Sequence, residues 1–81
     1  MTYKTKGVCA RAIEFELGAD HKVHNVNFVG GCSGNTQGIA SLVEGMDAAE
    51  VIERLKGIKC GGKGTSCPDQ LSAALTEALN K

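Results

Sequence analysis

Ala10-Arg11-Ala12-Ile13-Glu14-Phe15-Glu16-Leu17, then Gly18-Ala19-Asp20-His21, then Lys22-Val23-His24-Asn25-Val26-Asn27-Phe28-Val29 is the stretch on which the fold turns. Ile13, Phe15 and Leu17 point one way and Ala12, Glu14 and Glu16 the other, the two-residue period of a strand with one solvated face. Gly18 to His21 is turn chemistry. Lys22 to Val29 alternates again, with Val26 and Phe28 set against Asn25 and Asn27, so the two segments predict an antiparallel hairpin. Thr2 to Thr5 is a candidate third strand at the edge, giving a sheet of two or three strands.

Beyond Gly30-Gly31-Cys32-Ser33-Gly34 the period becomes helical. Ile39, Leu42 and Val43 form one stripe and Gly45 offers a left-handed stop. Asp47-Ala48-Ala49-Glu50 has the spacing of a capping box, Val51, Ile52 and Leu55 continue it as a second stripe, and Gly57 ends it. Pro68 suits the first position of a third helix and Asp69 its positive end, with Leu71, Leu75, Ala78 and Leu79 repeating at intervals of three and four. Strands first and helices after is an α+β order, with three helices packed on one face of a small antiparallel sheet. No internal repeat or linker divides residues 1–81, which read as one domain.

A chain of 81 residues with two Phe, one Tyr, no Trp and eleven Gly has a small core, and at this size a cross-link or a metal is the usual supplement. Nine basic and nine acidic residues balance, and the lysines are spread without aromatics between them, which argues against nucleic acid as the main ligand. Met1 to Gly7 is polar and basic with no apolar run behind it, and no segment has the length to cross a bilayer, so the sequence predicts a cytoplasmic chain. In a reducing compartment four cysteines point to metal or redox chemistry before they point to two structural disulfides.

Each cysteine stands at an element boundary: Cys9 before the first long strand, Cys32 between hairpin and first helix, Cys60 after the second helix, Cys67 at the third. One such cysteine alone is often a small buried hydrophobe. Four of them beside glycine, serine or a helix start are better read as one set. A thiolate near a helix N-terminus is stabilised by the helix dipole and free N–H groups, and Cys32 and Cys67 stand at such places. Thiolate binds soft metals, ligates iron–sulfur clusters and attacks disulfides. Four thiolates around Zn(II) leave a charge of about minus two, which Arg11, Lys59 and Lys63 are placed to offset.

Other chemistries fit less well. Gly57 with Gly62-Lys63 nearly spells a phosphate-binding loop, but Gly64 stands where the magnesium-binding Ser or Thr belongs, and the preceding element reads as helix instead of strand. His21 in its turn and His24 on the polar side of its strand read as surface residues. No Ser-His-Asp arrangement is suggested. The spacing also lacks the paired Cys-x2-Cys knuckles of zinc ribbons.

Thr65-Ser66-Cys67-Pro68-Asp69 reads TSCPD, and with Cys9, Cys32 and Cys60 the chain resembles the small stand-alone four-cysteine TSCPD-domain proteins over residues 3–79. Related regions lie at the C-terminus of adenosylcobalamin-dependent ribonucleotide reductases, so the resemblance implies a reductase or another protein as partner. A chain of this length does not enclose a radical cofactor and a nucleotide, which makes an accessory module the expected role and an enzyme of its own the less expected one.

The order of elements and of Cys9, Cys32 and Cys67 is also similar to that of U-type (NifU-like) iron–sulfur scaffolds, as is the stretch GCSGNTQGIASLVEGM. Against that pattern Arg11 stands in place of an Asp, Ser66 in place of a His, and Cys60 is additional. The comparison implies a four-thiolate site at Cys9, Cys32, Cys60 and Cys67 that retains its metal. The expected occupant is zinc in a structural role, with an iron–sulfur scaffold or carrier, or a thiol shuttle cycling Cys60 and Cys67, as the alternatives.

Overall fold

The computed structural model describes residues 1–5, 10–30, 33–58 and 66–80. Three strands, β1 (Thr2–Lys4), β2 (Ala12–Leu17) and β3 (Val23–Val29), form an antiparallel sheet in the order β1-β2-β3. The edge strand expected over Thr2 to Thr5 is therefore present. Three helices follow, α1 (Ser33–Val43), α2 (Ala48–Leu55) and α3 (Cys67–Leu79). The α+β order and the three-stranded antiparallel sheet agree with the sequence reading.

On β2 the alternation is as expected: Ile13 and Phe15 are buried while Glu14 and Glu16 are exposed. β3 departs from strict alternation. Val23 and Phe28 are both buried although they stand five positions apart, an odd spacing that would place them on opposite faces of a regular strand. The register explains it, because Glu14 pairs with Asn27 but Glu16 pairs with His24, leaving one extra residue on β3. Asn25 absorbs that residue with a left-handed φ of 57°. Such a bulge returns Val23 to the helix side of the sheet, opposite Leu17, as Phe28 is opposite Ile13.

The core joins Ile13, Phe15, Val23 and Phe28 of the sheet with Val43 of α1, Ala48 and Val51 of α2, and Leu71, Ala74 and Leu75 of α3. α1 lies against β3 and α2 against α3. In α1 the buried stripe runs through Thr36 and Val43 with Ile39 half-buried, and Leu42, expected in the stripe, is 78% exposed. It sits one step off that stripe, beside a shallow apolar groove lined by Ile39, Met46, Val51 and Leu55. Gly45 takes φ 78°, the left-handed stop read from the sequence, and Gly57, read as the end of the second helix, is left-handed as well at 80°.

Between α1 and α2 the chain runs along the start of β3. Gly45 N–H donates to Val23 O at 2.7 Å, Val23 N–H to Met46 O at 2.8 Å, and Ala48 N–H to His21 O at 2.9 Å, and Lys22 bridges Asp47. These bonds fix the entry of α2. The Asp47 side chain makes no capping hydrogen bond, and Glu50, the other half of the expected capping box, accepts from Arg54 one turn later at 2.9 Å.

A candidate metal centre at the start of helix α3

Cys67 is the first residue of α3, half-buried, a free thiol, and packed against the core cluster. Pro68 is thus the second helical residue, where its missing N–H costs no helical hydrogen bond, one position later than the sequence reading placed it. The residue that starts the helix is Ser66. Its backbone is extended (φ −151°, ψ 171°), its Oγ accepts the Asp69 N–H at 3.2 Å, and its carbonyl accepts the Gln70 N–H at 2.8 Å. That is an N-cap in the usual sense.

Ser66 also does more than cap. It is buried, 4% exposed, and its hydroxyl hydrogen goes to Ile58 O at 2.6 Å. Three residues later the Asp69 carboxylate accepts the Gly57 N–H at 2.7 Å. The start of α3 is therefore tied by two side chains to Gly57 and Ile58, the residues that follow α2. The signal for Ser66 was present in the sequence, since Ser-x-x-Asp before an apolar helical run is itself a capping pattern.

The sheet supplies a second anchored region. At the open end of the β2–β3 hairpin Ala12 pairs with Val29, and the Arg11 N–H donates to Val29 O at 2.7 Å. The Thr5 hydroxyl donates to Ala10 O. Gly30 has φ 75°, and a Cβ there would meet Arg11 Nε at 3.1 Å, so the position takes glycine both for its backbone and for the side chain laid across it. Ala10 adjoins Cys9, and Gly30 precedes Cys32 by two residues.

Cys9, Cys32 and Cys60, with Lys59 and Lys63, lie outside the described residues, and of the four predicted ligands the structure describes Cys67. Among the described residues no three His, Cys, Asp or Glu side chains gather as metal ligands. His21 is exposed, with a left-handed φ of 61°. His24 lies on the polar side of the sheet, where its Nδ1 meets Glu44 Oε2 at 2.6 Å while Glu44 Oε1 accepts the Asn25 N–H at 2.9 Å. Those two contacts, the backbone N–H first, hold the Glu44 carboxyl below the usual carboxylate range. Both histidines are thus surface residues, as read. The element before Gly57 is a helix, which also removes the strand that a phosphate-binding loop requires. Among the described residues no helix is long and apolar enough to cross a membrane.

The family model of the TSCPD domain matches residues 1–79, and the chain belongs to that family. No curated protein and no solved structure matches it. Its similarity to U-type scaffolds accordingly stays a likeness in the order of elements and cysteines.

Proposed function

We propose that Cys9, Cys32, Cys60 and Cys67 bind one metal ion as four thiolates, with zinc as the occupant, and that the chain is a small metal-binding module of the TSCPD family. The observation that carries this reading is Cys67: a free, half-buried thiol on the first residue of a helix whose start is bonded to the residues leading toward Cys60. Two residues span about 7 Å at most, so Cys60 is tethered close to Ile58. Cys9 and Cys32 are tethered likewise to Ala10 and to Gly30, which flank paired residues at one end of the hairpin.

The donor set suits a soft, tetrahedral ion, and a closed set of four thiolates leaves no position for a substrate. Bound zinc would supply folding free energy to a chain with a small core. Beside ribonucleotide reduction, the role suggested by the family resemblance is that of an accessory to a reductase.

Elemental analysis of untagged protein, with a free-thiol count in denaturant, tests the reading. About one zinc per chain with four thiols is expected. A brown protein with sulfur-to-iron charge-transfer bands overturns zinc in favour of a cluster, and metal-free protein lacking two thiols overturns the metal site in favour of a dithiol shuttle.

A further inference from the structure

We infer that Ser66 and Asp69 are positioning residues that hold Cys60 and Cys67 as a pair. The inference rests on the reading of those two cysteines as members of one site. A capping box would send the Asp69 carboxylate back to the Ser66 N–H. Here it reaches Gly57 N–H, twelve residues away in sequence, at 2.7 Å, and the Ser66 hydroxyl spends its hydrogen on Ile58 O, eight residues away, at 2.6 Å. A cap needs neither of these bonds. What they do is bring into contact Ile58 and Ser66, the described residues on either side of the stretch that bears Cys60 in sequence.

Bringing two ends of a chain segment together costs entropy, and where the flanking residues already touch, part of that cost is met before any ligand or bond joins the two sulfurs. Ser66 and Asp69 contribute no sulfur and need touch no metal. They act through the cysteines, and they are the second and last letters of the motif for which the family is named.

The experiment uses the full chain with Cys9→Ser and Cys32→Ser, leaving only the pair. Equilibrated with reduced and oxidised glutathione, the two thiols form one S–S bond as one molecule of oxidised glutathione is reduced to two thiols. The ratio of disulfide to dithiol gives the effective concentration of Cys60 toward Cys67. Ser66→Ala and Asp69→Ala should each lower it about tenfold. Asp69→Asn should restore it, because an amide oxygen also accepts the Gly57 N–H. Ile13→Val, a core change on β2 that lowers stability without touching either bond, should leave it unaltered.

Unchanged ratios in Ser66→Ala and Asp69→Ala overturn the inference, and so does an equal fall in Ile13→Val. Where the double serine chain does not fold, chelator competition for zinc in the four-cysteine chain replaces the measurement. About tenfold weaker zinc in the two alanine variants is then expected, and equal affinity overturns the inference. A wild-type chain that binds no zinc defeats the metal reading alone, since the glutathione ratio needs no metal.

Discussion

The starts of α2 and α3 do the same job with different materials. Each carries an acceptor residue followed three positions later by an acidic one, Asp47 with Glu50 and Ser66 with Asp69. At α2 the pattern goes unused. The helix begins beside β3, an edge strand whose backbone groups are free to bond, and the chain from Gly45 to Ala48 is held there by backbone hydrogen bonds to Val23 and His21. α3 begins where two residues past the end of α2 are its partners, and side chains must make the connection. A capping sequence thus takes on tertiary duty where the backbone has no strand to bond. The consequence is unequal sensitivity to mutation at two sites that look alike in sequence.

Ser66→Ala is the largest test of that contrast. It removes a helix cap, leaves Asp69 N–H without its acceptor, and strips Ile58 O of its donor. Losses of this kind in a buried residue sum to about 2 kcal/mol. For a chain of this size that is a fall of roughly 10 °C in melting temperature. Thermal melts of wild type and variant check it, and a change below about 0.5 kcal/mol would place the start of α3 in the same class as the start of α2. Asp69→Ala should cost less, about 1 kcal/mol, because it removes the hydrogen bond to the Gly57 N–H and a charge favourable at the helix N-terminus without removing the Ser66 cap. Asp69→Asn should recover most of the part due to the hydrogen bond.

The same contrast explains what could be read in advance. The sheet was legible in β2 because Ile13 and Phe15 alternate cleanly with Glu14 and Glu16, and the helices because Gly45, Gly57 and Pro68 punctuate them. Less visible was the bulge in β3, since a single strand does not announce which of its residues goes unpaired. Its traces were the odd spacing of Val23 and Phe28, and Asn25, a residue type that tolerates left-handed backbone. Leu42 matched the helical period yet is exposed, because a stripe of three apolar residues leaves the centre of the buried face undetermined by about one residue, and Thr36 helps to fix it. At the candidate site the cysteines stood out by residue type, and Cys67, the one described, lies at the start of α3 as its boundary position implied. Ser66 showed its cap in the Ser-x-x-Asp pattern but not its bond to Ile58, because that bond depends on where the end of α2 lies in space. Capping patterns report local chemistry and carry no information about tertiary partners.

A smaller, pH-dependent effect belongs to the outer side of the sheet, where Glu44 at the end of α1 grips the β3 bulge through the Asn25 N–H and His24. The folded state holds this carboxyl below its ordinary range. The sign follows from linkage: a depressed carboxyl contributes stability that is fully present above the unfolded-state value and is lost as pH falls through the folded-state value. Melting temperatures of wild type and Glu44→Gln should therefore differ near neutrality and converge as pH drops below the usual carboxylate range. Because Glu44 is exposed, the difference is small and is reduced by salt. A difference that persists unchanged at low pH would show that the charge does not hold the bulge.

Asp47→Ala should have the smallest effect of all, and for that reason it is the sharpest check on the comparison. In isolated helices an Asp at this position is worth about 1 kcal/mol. In this chain its carboxylate caps nothing, while its carbonyl accepts from Glu50 N–H at 3.0 Å and from Val51 N–H at 3.1 Å, bonds that alanine keeps. Alanine keeps as well the Ala48 N–H bond to His21 and the bridge to Lys22, which set the direction of the helix. What remains to lose is the interaction of an exposed charge with the positive end of an eight-residue helix, a few tenths of a kcal/mol at low salt. A denaturant melt in moderate salt should place the variant within about 0.5 kcal/mol of wild type. A loss of a full capping energy would mean that the Asp47 side chain bonds the first turn of α2 in solution, and that the two helix starts are held alike.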